Sequence, residues 1–187
     1  EQEKKLKWKV MVIVLFITTM TQFILFADKI SLSYATITDL FEDVGLTQNT
    51  YNNSSTLFYV GYLIGQANLI LVQKFPIRHC MIGITLSWCV IIFLSCTVTN
   101  HKGIYATRFF LGFVESVTTS ILNTTMGQFF TREEKAATTP IFATATLGVT
   151  IPIGLIAYGI MHVESNVPIW KLFFIIIGGM SFIWFLV

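Results

Sequence analysis

Four ionisable residues interrupt stretches of sequence that are otherwise almost entirely apolar: Asp28, Lys29, Arg108 and Glu115. Such groups cost about 3 kcal/mol each at the centre of a bilayer on insertion scales, and they persist where they are paired or functional. Removal from water favours the neutral form of a carboxyl group, so a buried acid can take up a proton. A neighbouring cation can bind an anion. The four residues therefore predict a mixed-charge cluster that couples protons to an anionic solute.

The spacing of these residues limits how they can pair. Arg108 and Glu115 are seven positions apart, which is nearly two helical turns and places both on one face, about 10 Å apart along the axis. Each must therefore find its partner on another helix or in a water-filled cavity. Asp28 and Lys29 are adjacent and diverge by about 100°, so only one can point straight inward. The cluster is predicted between the first and fourth spans, and a structural salt bridge at the outer membrane interface is the alternative.

The composition indicates that the elements holding these residues cross a membrane. Hydrophobic residues make up 54% of the 187 residues and charged residues only 12%, against roughly a quarter in soluble domains. So few charges cannot cover a soluble core, whereas a lipid-facing surface needs none. The net charge of +2 gives no support for a nucleic-acid partner. The predicted fold class is therefore an all-α membrane protein.

Charged and proline-containing segments divide the chain at intervals of about 20 residues, the length that crosses a bilayer. A basic amino-terminal segment, residues 1–9, precedes a six-helix transmembrane bundle over residues 10–187. The predicted helices cover about 10–30, 55–73, 80–100, 104–130, 136–161 and 169–187. Thr131 and Glu134 are predicted to form a capping box before the fifth helix, and Pro152 predicts a kink inside it.

Lysine and arginine are concentrated in alternate joints, which predicts the orientation. Lys4, Lys5, Lys7 and Lys9 precede the first span, whereas the joint at residues 39–53 contains neither residue type. The amino terminus is therefore expected to be cytoplasmic, and the plasma membrane is the expected location.

Small residues at four-residue spacing predict close helix contacts. Gly61 and Gly65 lie in the second span, and Gly112, Ser116 and Ser120 lie in the fourth. This spacing lets backbones approach closely in lipid, so it predicts a packed bundle without indicating a substrate.

Three segments resemble the motifs of one transporter family. Residues 108–116 resemble the fourth-helix signature Arg-Phe-x-x-Gly-x-x-Glu-small of the anion:cation symporter family within the major facilitator superfamily. Residues 27–35 are similar to its first-helix segment, in the Asp-Lys-x-x-Leu-x-Tyr-Ala form of the fungal allantoate permease subfamily. Residues 58–66 resemble its second-helix Tyr-x-x-x-Gln pattern. The resemblance implies that the chain is the amino-terminal half of a 12-helix carrier.

The resemblance also implies roles for individual residues. Asp28 and Glu115 match the proton-coupling acids of the family, and Arg108 matches the arginine that links gating to protonation. The residues implied to face an anionic substrate are Lys29, Tyr34, Tyr62 and Gln66. Helix packing with a satisfied polar tip is the alternative for the last three. Tyr59 shares a helical face with Tyr62. Gln73 stands where the superfamily usually has an acid that helps to lock the cytoplasmic side, which puts that lock in doubt.

These observations favour secondary active transport, as proton-coupled symport of a small organic anion by alternating access. The expected solutes are carboxylates of vitamin, ureide, amino-acid or sulfonate type, and the expected partners are protons, the lipid bilayer and a carboxyl-terminal six-helix half. The chain starts at Glu1 and stops inside an apolar run at Val187, so we treat it as a piece of a longer protein. A non-transporting sensor or truncated remnant of the same fold is the alternative.

An enzyme is not expected, because no nucleophile motif, phosphate loop or cluster of histidine, cysteine and acids is present. Cys80, Cys89 and Cys96 have no metal-type spacing, and all three histidines are predicted in loops. No cofactor or metal is expected.

Overall fold

The computed structural model describes residues 2–67, 74, 76–162 and 167–186, and every regular element within them is a helix. The helices are α1 (Gln2–Ala35), α2 (Leu40–Val44), α3 (Gln48–Gln66), α4 (Ile77–Cys96), α5 (His101–Phe129), α6 (Arg132–Gly148), α7 (Thr150–Met161) and α8 (Ile169–Leu186).

Four segments of the described chain are long and apolar enough to cross a membrane. They are Lys5–Ala35 in α1, His79–Cys96 in α4, Arg132–Met161 across α6 and α7, and Ile169–Leu186 in α8. The second and fourth predicted spans correspond to α3 and α5, which are more polar. α3 opens with a run of amide and hydroxyl side chains, and α5 carries Arg108 and Glu115, two of the four charged residues of the predicted cluster. Residues 68–73, the predicted end of the second span, lie outside the described residues.

Several helix bounds differ from those predicted. α1 runs from Gln2 to Ala35 instead of 10–30, because the basic segment 1–9 consists largely of strong helix formers that continue the helix. α3 begins at Gln48 instead of 55, because Thr47 and Thr50 form a capping box there. The predicted joint at residues 39–53 therefore contains α2 and the first six residues of α3. The other predicted helices begin and end within four residues of the bounds found in the structure.

The fifth predicted helix has the expected start and an interruption inside it. The Thr131 N–H donates to Oε2 of Glu134 at 2.9 Å and the Glu134 N–H donates to Oγ1 of Thr131 at 3.4 Å, which confirms the capping box. α6 ends at Gly148 and α7 begins at Thr150. Pro152 has no N–H to donate to the Gly148 carbonyl four residues earlier, which weakens the helix at this point.

The closest packing joins α3 and α5. A Cβ atom on Gly61 would overlap the backbone carbonyl oxygen of Phe109, and one on Gly112 would overlap that of Phe58. The predicted close contact at the small residues is therefore confirmed, and α3 and α5 are the partners. α1 packs on α5 to α8, and α4 packs on α5 and α8. This arrangement places the charged residues of α1 beside those of α5.

Candidate functional site

Glu115 of α5 forms an ion pair with Lys29 of α1. The distance from Lys29 Nζ to Glu115 Oε1 is 3.0 Å, and the two side chains are 31% and 4% exposed. Oε2 of Glu115 is buried without a hydrogen-bond partner among the described residues. The pair is thus formed by a cation that solvent can reach and an acid that solvent cannot.

Aromatic rings surround the ammonium group of Lys29. Its Nζ lies 5.3 Å from the ring centroid of Phe58 and 5.7 Å from those of Phe26 and Tyr62. A cation within about 6 Å of an aromatic face is attracted by the ring quadrupole. The ammonium is therefore stabilised both by Glu115 and by three rings.

Arg108 and Asp28 form the second half of the charged cluster, and both are buried, at 5% and 1% exposure. The Arg108 guanidinium lies 5.5 Å from the ring centroid of Phe174. Within the described residues it has no ion pair under 4.0 Å. Both carboxylate oxygens of Asp28 are buried without a hydrogen-bond partner there. Asp28 points inward and Lys29 lies at the flank, as their divergence of about 100° predicts.

A cavity of about 280 Å³ opens beside the two cations. Its described lining residues are Phe26, Lys29, Ile30, Leu32, Ser33, Tyr51, Ser55, Phe58, Tyr59 and Arg108. These residues include two cations, four hydroxyl groups and several aromatic rings, and none of them is acidic. Ligand sites typically combine apolar walls with a few placed polar groups. The lining therefore suits a small anion that also has an apolar part.

The structure brings some of the predicted substrate residues to this cavity and leaves others away from it. Tyr59 lines the cavity. Tyr62 is not among the described lining residues, and its ring centroid lies 5.7 Å from Nζ of Lys29. Gln66 accepts a hydrogen bond of 3.2 Å from the hydroxyl of Ser120 at the contact of α3 and α5. Tyr34 lies outside the described lining, and its hydroxyl donates to the Thr150 carbonyl at 3.3 Å.

The sequence analysis missed the polar residues that α3 contributes to the cavity. Tyr51, Ser55 and Phe58 are spaced by four and three residues, which is the spacing of one helical face. Because the second helix was predicted to begin at 55, Tyr51 was assigned to the preceding joint. The spacing continued through that joint and was the signal that could have identified Tyr51.

The described residues contain no group of histidine, cysteine and acidic side chains able to hold a metal ion. Cys80, Cys89 and Cys96 all lie on α4. Gln73, the substitution in the loop after the second span, lies outside the described residues, so its effect on the cytoplasmic lock stays a prediction.

Residues 11–187 match the family described as the Major Facilitator Superfamily. A Saccharomyces cerevisiae protein named high affinity cysteine transporter is 49% identical over 185 residues, which are 98% of this chain and 35% of that protein. A Schizosaccharomyces pombe protein named as an uncharacterized transporter is 46% identical over 97% of this chain and 32% of its own length. Another from the same organism is 30% identical over 98% of this chain and 35% of its own length. The chain thus spans about a third of the length of these relatives.

Proposed function

The chain belongs to the major facilitator superfamily of membrane transporters, and we propose that it forms the amino-terminal six-helix half of a 12-helix carrier that moves a small carboxylate together with protons. Within the superfamily we assign it to the anion:cation symporter family and its allantoate permease-like branch. The support is the motif at residues 108–116 and the two shorter motifs at residues 27–35 and 58–66.

One observation carries the proposal for an anionic substrate. Lys29 and Arg108 both line the cavity, and no acidic side chain is found in its described walls. Guanidinium and ammonium groups are the side chains that bind carboxylates most strongly. Glu115, the acid that pairs with Lys29, is not among the described lining residues and is 4% exposed. A carboxylate that enters the cavity therefore meets two positive charges and no negative one.

The position of Lys29, which can bind either Glu115 or a substrate carboxylate, offers a physical basis for proton coupling. Lys29 Nζ is already 3.0 Å from Glu115, so a substrate carboxylate competes with Glu115 for the same ammonium. A proton on Glu115 removes that competition and frees Lys29 for the substrate. Asp28 and Arg108 are the other two charged residues of the cluster, and both are buried; the acid has no hydrogen-bond partner in the described part of the chain. Protonation of Glu115 and binding of the anion thus favour one another, which is the requirement for symport.

The name of one relative suggests the class of the carboxylate. The Saccharomyces cerevisiae relative is named as a cysteine transporter, and cysteine is within the amino-acid class that the sequence analysis includes. The cavity of about 280 Å³ is of a size that suits a small solute. We propose that the α-carboxylate lies against Lys29 and Arg108, and that the carboxyl-terminal half supplies the partner of the ammonium group.

The proposed topology places the amino terminus in the cytoplasm and the carrier in the plasma membrane. Lys7, near the start of α1, lies 3.0 Å from Glu134, at the start of α6. This ion pair supports an arrangement in which the two helix starts lie on one side of the membrane. The basic residues near both positions favour the cytoplasmic side.

The experiment that tests the proposed function is uptake of radiolabelled cysteine by a permease-deficient host that expresses the full-length protein. Uptake is measured at pH 5 and pH 7.5, with unlabelled organic anions as competitors and the empty host as control. We expect uptake that is faster at pH 5 and is reduced by carboxylates. A protein that reaches the membrane and transports neither cysteine nor a competing anion would favour the non-transporting alternative.

A further inference from the structure

The side chain of Asp43 ties the short helix α2 to the start of α8. The indole Nε1 of Trp170 donates to Oδ2 of Asp43 at 2.9 Å, and Trp170 is 1% exposed. Nζ of Lys171 lies 3.6 Å from the same oxygen in a partly exposed ion pair. A buried N–H without an acceptor carries a free-energy penalty, whereas an exposed ion pair contributes little. The hydrogen bond of the buried indole is therefore the stronger of the two constraints.

α2 depends on its packing, because a helix of five residues is not stable alone. Its buried residues Leu40 and Val44 belong to an apolar cluster that joins α2 to α1, α5 and α8. The buried members of this α2 cluster are Leu32, Ala35, Leu40, Val44, Leu46, Val98, Ile104, Trp170 and Phe174. Apolar packing has no preferred direction, so the hydrogen bond from Trp170 to Asp43 supplies the directional contact that fixes α2 on α8.

Two residues of the cavity wall are in contact with the helices that this hydrogen bond joins. On the α2 side, the ring centroid of Phe41 lies 6.0 Å from that of Tyr51. On the α8 side, the ring of Phe174 lies 6.1 Å from that of Trp170 and 5.5 Å from the Arg108 guanidinium. Tyr51 and Arg108 both line the cavity. The hydrogen bond therefore lies between two short series of ring contacts, and each series ends at the cavity.

We infer that Asp43 is a positioning residue, which accepts the hydrogen bond of Trp170 and thereby holds Tyr51 and Arg108 in place at the cavity wall. The inference rests on the proposed function, in which Arg108 binds a carboxylate. Asp43 is not among the described lining residues, so it acts through Tyr51 and Arg108. All of these residues belong to one half of the proposed carrier, and each half moves largely as one body in alternating access. Loss of the contact should therefore weaken substrate binding more than it slows turnover.

The test compares Asp43→Ala with Asp43→Asn in uptake of radiolabelled cysteine by the full-length protein in liposomes. Asparagine keeps an oxygen that can accept from the indole, whereas alanine has none. We expect Asp43→Ala to raise KM by about fivefold with kcat changed by less than about twofold, and Asp43→Asn to restore most of the affinity. Glu42→Ala is the matched control, because Glu42 is the neighbouring acid on α2 and is exposed. An unchanged KM in Asp43→Ala, an equal rise in Glu42→Ala, or an effect confined to kcat overturns the inference.

A second pair of variants tests the contact from the side of α8. Trp170→Phe keeps an aromatic ring and removes the N–H, so adding Asp43→Ala to it should raise KM no further. Trp184→Phe is the control background, because the indole of Trp184 donates to the hydroxyl of Thr21 at 3.0 Å. In that background Asp43→Ala should have its full effect. A further rise in Trp170→Phe as large as that in Trp184→Phe overturns the inference.

Hydrogen exchange measured by mass spectrometry separates failure of the inference from failure of the proposed function. In the full-length protein in lipid nanodiscs, Asp43→Ala should raise amide exchange at the start of α3, residues 48–55, and Asp43→Asn should not. Unchanged exchange in Asp43→Ala overturns the inference, whether or not the protein transports cysteine. Raised exchange, together with no cysteine uptake by the unsubstituted protein, rejects the proposed substrate and supports the role of Asp43 in holding Tyr51.

Discussion

The Lys29–Glu115 pair predicts unequal effects of removing its two members. Lys29→Met leaves Glu115 with a buried charge, 4% exposed, whose second oxygen already has no described partner. Glu115→Gln leaves Lys29 with 31% exposure and with three aromatic faces around its ammonium group. The unpaired Glu115 carboxylate has no access to water, whereas the unpaired Lys29 ammonium has access to water and lies near three aromatic rings. Lys29→Met should therefore be the more destabilising change.

The exposure of Lys29 sets the magnitude of this effect. Removing one partner of a fully buried pair costs about 3–5 kcal/mol, and an exposed pair contributes about 0–1 kcal/mol. Because solvent reaches Lys29 and not Glu115, we expect an intermediate loss of about 2 kcal/mol for Lys29→Met. For Glu115→Gln we expect less than about 1 kcal/mol. The double variant should be close to Glu115→Gln alone, so the coupling energy should be close to the loss in Lys29→Met, about 2 kcal/mol.

The assay is reversible unfolding of the full-length protein in mixed micelles at pH 5 and pH 8. At pH 5 a proton can neutralise the stranded Glu115, so the loss in Lys29→Met should be smaller than at pH 8. Equal losses for the two single variants, or a loss in Lys29→Met that is the same at both pH values, would refute the reasoning.

Two other variant pairs test the packing and the limits of the cavity. Gly112→Ala places a methyl group against the Phe58 backbone carbonyl and should lower the free energy of unfolding by about 2 kcal/mol. The control Gly83→Ala places its methyl group in open space and should leave the free energy of unfolding unchanged. Equal melting temperatures for the two variants would contradict the packing of α3 on α5. Tyr34→Phe should leave the KM for uptake unchanged because Tyr34 lies outside the described lining, whereas Tyr59→Phe should raise it. A rise in Tyr34→Phe as large as that in Tyr59→Phe would support the substrate-binding role that the family motif implies for Tyr34.

The sequence was sufficient to predict which charged residues lie inside the bundle. The seven-residue spacing of Arg108 and Glu115 placed both on one face, and the structure buries both. The sequence could not predict which residues pair, because the rotation of α1 relative to α5 determines which acid lies next to Lys29. No spacing within a single helix determines that rotation. The pairing of Lys29 with Glu115 depends on packing between helices.

The helices were predictable from the sequence to different degrees. Charge-free stretches predicted α1, α4 and α6 with α7, and a stretch with Lys171 as its one charge predicted α8; these are the segments that are long and apolar enough to span. α3 and α5 are less apolar because their side chains face each other and the cavity. The start of α3 was missed because the hydroxyls of Thr47 and Thr50 cap it, and a polar run of this kind is equally typical of a loop. The cavity residue Tyr51 was missed with it.

Proton movement that accompanies substrate is the most direct measurement of the proposed coupling. The full-length protein is reconstituted in liposomes containing a pH-sensitive dye, and internal pH and radiolabelled cysteine are followed together. We predict that cysteine entry acidifies the lumen in the unsubstituted protein. In Glu115→Gln we predict cysteine exchange across the membrane with the accompanying acidification lost or strongly reduced. Glu115→Gln liposomes that take up cysteine and protons in the same ratio as the unsubstituted protein would contradict the account.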